Sequence, residues 1–290
     1  MKRLLFLVIV CNLVLINGYG ITKTTIDFHK NGMKKTEGQY IDGKKEGLWI
    51  SWYRNGERES EGEYINGKQH GLWVSWYESG RKRSEQEYKN GKRHGDYISW
   101  YENGGIRARG QFAENIRQGT WKWWYPNSQI MYEIEFEDDK PHGDCTCWFS
   151  HGVKRYEGEF HQGKRQGTWK KWYECGELKY EEIYKNDKKE GYWVNWYESG
   201  MKRYEGNYSN DMPEGTWTRW CENGNKCEEG KYQYGIRVGK WIGWHENGKK
   251  KEEGEYSDGQ RDGRWREWDT DGKLIKEEYL VEGKLVMKTI

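Results

Sequence analysis

The chain has 290 residues, of which 16% are aromatic, 33% are charged, 38 are glycine and three are proline. This aromatic content excludes an intrinsically disordered chain, and the low aliphatic content disfavours a thick globular core. The formal net charge of +2 gives no electrostatic reason to expect a nucleic-acid partner.

The N-terminal segment differs from the rest of the chain. A basic pair, Lys2 and Arg3, precedes the apolar run Leu4–Ile16, and small residues follow it. This order is typical of a secretory signal peptide, and the run is short for a membrane span, although an uncleaved anchor is the alternative. We therefore expect residues 1–20 to be a signal peptide and residues 21–290 to be secreted or located in the periplasm or cell envelope.

The remainder is a tandem repeat of 24 residues without insertion or deletion. In each copy a glycine is followed by two tryptophans three apart, an aromatic residue and a glycine-containing turn, with few substitutions. The first glycine recurs at Gly47, Gly71, Gly95, Gly119, Gly143, Gly167, Gly191, Gly215, Gly239 and Gly263. Partial copies flank these ten, so the array fills residues 21–290, and a fixed period predicts a repeat architecture.

Each repeat has the pattern of one β-hairpin. Leu48–Arg54 is rich in β-formers, Asn55-Gly56 is a hairpin-turn signal, Glu57–Ile65 is the return strand, and Asn66-Gly67 turns into the next copy. No apolar set at helical spacing competes with this interpretation. We therefore predict an all-β fold, an elongated single antiparallel sheet of tandem 24-residue hairpins.

Two-residue turns at both sites would fix the strand register and the two faces. They would place Trp49 opposite Gly62, with Gly71 on the other side of Gly62, so that an indole lies flat over bare backbone. The predicted companions on that face are Tyr53, Tyr64 and Trp73, and the predicted residues of the other face are Leu48, Ile50 and Trp52. Three-residue loops would change the pairing parity and the face assignment.

The aromatic ladder also supplies the candidate binding residues. Aromatic side chains repeated along a face can contact a partner, and the candidates are Trp49, Tyr53, Trp73, Tyr77, Trp169, Tyr173, Trp193 and Tyr197. A catalytic residue is normally used once, whereas these residue types recur in most copies, and no nucleophile elbow, P-loop or zinc-protease motif is present. We expect no enzyme activity and no cofactor.

Charged side chains recur as well. Glu61 and its equivalents follow the first glycine by fourteen positions, and Lys44 and its equivalents follow the second turn. Such repeats are typical of a solvated row of weak cross-strand pairs. A charged ledge for a partner is the functional alternative.

The cysteines do not form a disulfide framework, because five follow the N-terminal segment and they occur in only some repeats. Cys221 and Cys227 flank one turn and could be bridged if its loop has three residues. Cys145, Cys147, His142 and His151 form a candidate metal set, but their spacing matches zinc sites only loosely.

The segment Tyr156-Glu157-Gly158-Glu159-Phe160, with Gly163-Lys164, Gly167 and Trp169, resembles the MORN repeat. The tryptophan-containing half resembles the MORN-variant repeat of bacterial YwqK-type antitoxin proteins. The resemblance extends from Phe28 to about Gly283. It implies scaffolding, dimerisation or attachment to lipid surfaces, and for the YwqK type the neutralisation of a partner toxin.

Two functional hypotheses follow. The first is an exported, non-catalytic scaffold that binds a protein partner, in an antitoxin- or immunity-like role, or associates with itself through sheet edges. The second is a carbohydrate-, cell-envelope- or lipid-surface-binding module that uses the repeated tryptophans and tyrosines. A sugar-binding array should leave one indole per repeat exposed.

Overall fold

The computed structural model describes residues 13–17 and 20–289. All the regular secondary structure in these residues is β-strand. The chain divides into two units, residues 1–141 and 142–290. The strands of the first unit are β1 (Leu13–Asn17), β2 (Gly20–Phe28), β3 (Lys34–Ile41), β4 (Lys44–Trp52), β5 (Arg58–Ile65), β6 (Lys68–Trp76), β7 (Lys82–Lys89), β8 (Lys92–Trp100), β9 (Ile106–Ala113), β10 (Ile116–Trp124) and β11 (Ile130–Glu137).

The second unit continues the same alternation of strands. Its strands, including the one that begins just before the boundary, are β12 (Lys140–Trp148), β13 (Lys154–His161), β14 (Lys164–Trp172), β15 (Leu178–Lys185), β16 (Lys188–Lys189), β17 (Gly191–Trp196), β18 (Lys202–Ser209), β19 (Met212–Trp220), β20 (Lys226–Gln233), β21 (Ile236–Trp244), β22 (Lys250–Ser257), β23 (Gln260–Trp268), β24 (Leu274–Val281) and β25 (Lys284–Lys288). The pair β16 and β17 is one strand interrupted at Glu190.

Within each unit, strands that follow each other in the chain pair in antiparallel fashion. This holds from β1 to β11 in the first unit and from β12 to β25 in the second, where β15 pairs with both halves of the interrupted strand. The predicted all-β fold of tandem antiparallel hairpins is confirmed.

The predicted signal peptide lies largely outside the described residues, which omit 1–12, 18 and 19. The backbone of Leu13–Asn17 forms β1 and pairs with the start of β2. Export therefore stays a prediction.

The turn that joins one repeat to the next has the predicted form. Asn66 and Gly67 have φ of 52° and 78°, and the flanking residues Ile65 and Lys68 face each other. Two consecutive positive φ values define the two-residue turn whose twist matches that of the strands.

The turn inside each repeat differs from the prediction. Tyr53 donates its backbone N–H to the carbonyl of Glu57 at 2.8 Å, so the loop holds three residues, with Gly56 at φ 89°. A bulge at Glu59 follows, because Trp52 faces Arg58 whereas Ser51 faces Ser60. The additional loop residue and the bulged residue offset each other.

This compensation preserves the predicted register in the body of the hairpin. Trp49 faces Gly62, as expected. The indole over Gly62, however, belongs to Trp73 of the following strand, whose Cδ2 lies 2.3 Å from an ideal Cβ at Gly62. Trp73 reaches this position because the strand β6 bulges at Gly71, which has φ of 66°.

The side of the sheet that carries these tryptophans is here called the aromatic face. Tyr40, Trp49, Tyr64 and Trp73 form a continuous series of edge-to-face ring contacts, with centroids 5.1 to 6.0 Å apart. Such geometry stabilises aromatic pairs beyond their buried area. On the opposite face side chains such as Leu48 remain exposed.

The repeated glutamates form ion pairs on the opposite face. Arg58 Nη1 lies 2.6 Å from Glu61 Oε2 on the same strand, because the intervening bulge brings both side chains to one face. Cross-strand pairs also occur, as between Lys122 and Glu133 at 3.0 Å. These half-exposed pairs fit the interpretation of a solvated row.

Candidate functional site

The tryptophans that were predicted to bind a partner form the packed centre of the aromatic face. Trp49 and Trp169 are buried, and Trp73 and Trp193 are half-buried. In repeat after repeat the indole N–H donates to the backbone carbonyl ten residues earlier, as from Trp49 to Gln39 at 3.2 Å. The polar atom of the ring is therefore used inside the fold.

The predicted tyrosines are also engaged by the sheet. The hydroxyls of Tyr53, Tyr77, Tyr173 and Tyr197 donate to the carbonyls of Trp76, Trp100, Trp196 and Trp220 at 2.8, 2.8, 2.9 and 3.0 Å. His29 and His245 make the same bond through Nε2 in their repeats. Each bond ties one hairpin to the next, so these side chains contribute to the fold whether or not a ligand uses them.

Basic side chains lie over the aromatic rings of this face. They occupy the position two residues before each repeat's first glycine, here called the covering position, and are Lys45, Arg93, Arg117, Arg165, Lys189, Arg237 and Arg261. The side-chain cations of Lys45, Arg237 and Arg261 lie 4.0 Å from the ring centroids of the tryptophans that follow them. These cation–π contacts shield the rings from solvent.

One row of the aromatic face is not fixed by the repeat. It comprises the residues at positions 4 and 13 after the first glycine and is here called the variable row. In the first unit it reads Asp27, Thr36, Ser51, Ser60, Ser75, Ser84, Ser99, Ala108, Trp123 and Tyr132, each facing the next across neighbouring strands. Nothing in the ladder of tryptophans requires these residue types.

The variable row continues in the second unit with different chemistry. It reads Cys147, Tyr156, Lys171, Tyr180, Asn195, Tyr204, Arg219, Glu228, Gly243, Glu252, Glu267 and Lys276, again in unbroken register. Alignment of the ten copies by period would have revealed this variation, but motif searches look for what is constant and so missed it.

The row changes in character along the chain. Its serines hydrogen-bond to one another, as Ser51 does to Ser60 and Ser75 to Ser84, both at 2.7 Å. Its last members form ion pairs, such as Lys276 with Glu267 at 3.3 Å. Aromatic side chains dominate between these two stretches.

Hollows in both units open on the variable row. In the first unit a hollow of about 440 Å³ is lined by the row residues Ser99, Ala108 and Trp123 together with Arg93, Arg107 and Arg117. In the second unit a hollow of about 200 Å³ includes Tyr156, Lys171 and Tyr180, and one of about 360 Å³ includes Tyr204, Arg219 and Glu228. The row thus combines variable chemistry with concave surface, which is the usual form of a binding site.

A buried carboxylate interrupts the tryptophan–glycine pattern beside these hollows. Glu182 occupies the position of Gly62 and is only 6% exposed. It accepts hydrogen bonds from the Tyr184 hydroxyl, the Trp193 indole and the Lys189 ammonium, at 2.5, 2.8 and 2.9 Å. Burial and the hydrogen bond to Glu182 raise the pKa of the Tyr184 hydroxyl. A buried charge with three donors is satisfied by the fold itself.

The structure separates the candidate metal ligands. Cys145 and Cys147 are buried on the aromatic face, and burial together with the neighbouring Cys147 raises the pKa of Cys145 to about 12. His151 bonds to the carbonyl of Glu174 at 2.9 Å, and His142 packs against a histidine of the next strand. In the described part of the chain no three His, Cys, Asp or Glu side chains are grouped to hold a metal ion.

The remaining cysteine pair forms a cross-link. Cys221 and Cys227 are joined by a disulfide, with their Cα atoms 5.4 Å apart. The sequence predicted this disulfide only if the intervening loop has three residues. The loop does have three residues, because the backbone N–H of Cys221 donates to the carbonyl of Asn225 at 2.8 Å. Cys221 replaces the bonding tyrosine, and Cys227 occupies the bulge.

These features define the class of protein as a tandem β-hairpin repeat. A family model described as "MORN repeat variant" matches residues 45–66, 69–90, 93–114, 117–138, 165–186, 189–210, 237–258 and 261–281. A second, described as "MORN repeat", matches residues 61–72, 87–95, 132–153, 156–168, 204–226 and 253–264. The first model covers more than half of the chain, which therefore belongs to the MORN-repeat variant family.

Membership confirms the resemblance at the level of the repeat, and MORN-repeat proteins are generally non-catalytic binding modules. A comparison with curated proteins finds no match. The chain is also similar to the crystal structure of TcdB2-TccC3-TEV at 10% identity and a TM-score of 0.19, over 90% of this chain and 17% of that one. No argument about fold or function rests on so slight a likeness.

In the described residues no helix is long and apolar enough to cross a membrane.

Proposed function

We propose that this protein is an exported, non-catalytic scaffold that binds a protein partner along the variable row of its aromatic face. The observation that carries the proposal is that two sets of residues on that face have different roles. The polar atoms of the repeated tryptophans and tyrosines hydrogen-bond within the sheet, whereas the variable row lines the hollows.

Repeat arrays bind through the positions that vary between copies, because the invariant positions are committed to stacking the copies. A partner that spans several strands would contact many row residues at once. Tyr156, Tyr180 and Tyr204 are the tyrosines of this row in the second unit, and tyrosine supplies contact area with little loss of conformational entropy.

The disulfide between Cys221 and Cys227 supports the exported location. Such bonds form and persist in oxidising compartments and are rare in the cytosol. An antitoxin- or immunity-like role, implied by the resemblance to YwqK-type proteins, would then be exercised outside the cytosol on a partner toxin.

The alternative function, binding of a carbohydrate, cell envelope or lipid surface by the whole array, has less support. It needs an exposed indole in each repeat. The described indoles of the aromatic face are buried or half-buried, and those of the opposite face, such as Trp52, are half-buried beneath lysines. The net charge of +2 also gives little attraction to anionic lipids.

The test compares two variants of the exported chain. Tyr156→Ser, Tyr180→Ser and Tyr204→Ser together replace row tyrosines by the residue that Ser60 and Ser84 supply at the same positions. Leu48→Ser with Leu72→Ser is the matched control, because both leucines are exposed on the opposite face.

Proteins captured from the producing cell by the wild type are identified, purified and titrated against all three chains. We expect the row variant to bind at least tenfold more weakly and the control to bind like the wild type. Equal binding by the row variant, or capture of no protein at all, would overturn the proposal.

A further inference from the structure

A basic residue at the covering position accompanies each buried tryptophan of the aromatic face, and in three repeats its cation lies over the tryptophan ring itself. Five tryptophans of the aromatic face are buried, and each follows a lysine or arginine at the covering position by four residues. They are Trp49, Trp121, Trp169, Trp241 and Trp265, with exposed fractions of 6, 3, 8, 4 and 3%. The half-buried Trp193 also follows a lysine, Lys189, but that lysine is drawn towards Glu182 and lies 5.5 Å from the ring.

Two other tryptophans lack a basic residue at the covering position. Pro213 precedes Trp217 and Gln69 precedes Trp73, and both indoles are half-buried. Proline carries no cation and its side chain is too short to lie across a ring. The outer side of Trp217 is consequently open where Trp49, Trp241 and Trp265 are covered by a cation.

Aromatic walls surround the open ring of Trp217. Trp193 lies 5.4 Å away at an interplanar angle of 35°, and Tyr208 and Tyr232 present their edges at 5.1 and 6.1 Å. Together with Tyr204 they line the hollow of about 360 Å³, here called the Trp217 hollow. Trp73 has the equivalent edge-on tyrosines, Tyr64 and Tyr88, at 5.1 and 6.2 Å. Its neighbours in the variable row are serines, however, so no row tyrosine like Tyr204 stands beside it.

The Trp217 hollow also has hydrogen-bonding groups on its rim. Arg237 is fixed over Trp241 at 4.0 Å and pairs with Glu228 at 3.0 Å. Arg219 is held more loosely, with Nε 3.7 Å from the same carboxylate. The hollow therefore offers guanidinium donors and a carboxylate acceptor beside an apolar platform.

The charge of this lining limits the ligand. Two arginines and one glutamate leave a net positive charge, which disfavours a cationic guest despite the aromatic rings. A ligand must instead combine an apolar flat side with groups that both donate and accept hydrogen bonds. A pyranose ring does so, because its C–H bonds form one side and its hydroxyls project from the edge.

We propose that the Trp217 hollow is a saccharide-binding site, in which a pyranose unit of a glycan stacks on Trp217 and its hydroxyls bond to Arg219 and Glu228. The hollow of about 360 Å³ lies at the lower end of the usual volume range of ligand pockets. One sugar ring fills roughly half of such a volume, so the hollow accommodates one to two pyranose units. This is a second binding function, and its site shares Tyr204, Arg219 and Glu228 with the variable row proposed above to bind a protein partner.

The test supplies the missing cover. Pro213→Arg introduces the residue found at the equivalent positions of Arg237 and Arg261, so the strand should keep its fold while the ring becomes shielded. Gln69→Arg is the matched control, because it makes the same change over Trp73, beside which the variable row has serines in place of Tyr204, Arg219 and Glu228. Arg219→Ser removes one rim donor and leaves the platform intact.

Isothermal titration calorimetry is run on the full exported chain with maltotriose, cellotriose, triacetylchitotriose and trigalacturonic acid, and with choline as a cationic probe. We expect at least one trisaccharide to bind with a dissociation constant below about 1 mM. Pro213→Arg should weaken that binding at least tenfold, Arg219→Ser at least threefold, and Gln69→Arg should have no effect.

Circular dichroism and thermal unfolding of each variant confirm that it is folded. The proposal is overturned if none of the four saccharides binds, if only choline binds, or if folded Pro213→Arg binds as tightly as the wild type. Loss of saccharide binding would leave the protein-partner proposal standing, because the tyrosine variants test that proposal through a different ligand.

Discussion

At Gly62 the fold depends on the absence of a side chain. An ideal Cβ there would lie 2.3 Å from Cδ2 of Trp73 and 2.4 Å from Cε2. The same relation holds between Gly110 and Trp121, and between Gly254 and Trp265, each at 2.2 Å. Because the indole packs directly on the backbone, a single methyl group would displace the ring and its N–H bond to the neighbouring carbonyl.

Gly62→Ala should therefore destabilise the first unit by about 1–3 kcal/mol, since overpacking forces the indole of Trp73 to move. Gly243→Ala is the control, because the atom nearest its ideal Cβ is Cγ of the flexible Glu252 side chain, at 3.0 Å. Urea unfolding followed by tryptophan fluorescence compares the two variants. An equal loss of stability in both, or no loss in Gly62→Ala, would contradict the packing argument.

At the scale of the hairpin, both turns join consecutive copies as well as reversing the chain. At the turn Asn66-Gly67 the N–H of Asn66 donates to Glu46 Oε2 and the N–H of Gly67 to the carbonyl of Lys45, both at 2.8 Å. Asn55 accepts from the Glu57 N–H at 3.0 Å and donates to the carbonyl of Glu78, 2.8 Å away in the next loop. The loops of successive repeats are thus bonded to each other.

In one repeat Asn223 keeps this loop-to-loop bond, to the carbonyl of Glu246 at 2.7 Å, but the disulfide takes the place of the tyrosine-to-carbonyl bond. Removal of the disulfide gives a prediction. Cys221→Tyr with Cys227→Lys restores the residue types of other copies, and the new hydroxyl can bond to the carbonyl of Trp244. A disulfide that closes so short a loop contributes about 2 kcal/mol. Reduction should therefore destabilise the wild type by about that amount and leave the double variant unchanged.

Thermal unfolding with and without a reducing agent measures both effects. If the reduced wild type were as stable as the oxidised protein, the disulfide would have no structural role. If the double variant failed to fold, the tyrosine-to-carbonyl bond could not substitute for the cross-link.

The sequence was sufficient to predict the hairpins, their antiparallel order and the pairing of Trp49 with Gly62. It was insufficient for the loop at Asn55-Gly56, because the same dipeptide suits a two-residue turn and a three-residue loop with glycine at positive φ. The ring that covers Gly62 was predicted to be that of Trp49 and is that of Trp73. The bulge at Gly71 that causes this difference does not change the spacing of hydrophobic residues, so the sequence pattern did not reveal it. The variable row escaped notice because its residues share no type.

At the scale of the whole molecule, each unit is stabilised by contacts between neighbouring strands and by hydrogen bonds between consecutive hairpins. The pairing registers join only strands that follow each other in the chain, so no described hairpin buries its rings without an adjacent copy. Arrays of this kind gain stability from the interfaces between repeats. The strand at the edge of such an array offers unpaired backbone groups.

The predicted self-association through sheet edges can be tested at β25, which no described strand covers on its outer side. Leu285, Val286 and Met287 are 55, 64 and 57% exposed, which makes this edge apolar. Val286→Lys should weaken self-association at least fivefold, because an inserted charge opposes edge-to-edge pairing. Leu48→Lys, on a strand with neighbours on both sides, is the control.

Sedimentation velocity over a range of concentrations provides the measurement. A wild-type chain that remains monomeric at the highest concentration would exclude self-association at this edge. Equal association of the two variants would place it elsewhere.

The offset between the three-residue loop and the bulged residue has an evolutionary consequence. Loss or gain of one residue at either place would turn Gly62 and Tyr64, or their equivalents on the same return strand, to the opposite face, so both changes would have to occur together. The array can therefore change its length by complete 24-residue blocks and keep its register, whereas a single-codon insertion in these segments would shift the faces. Whole-block exchange would then shuffle the variable-row chemistry and generate new specificities on an unchanged framework.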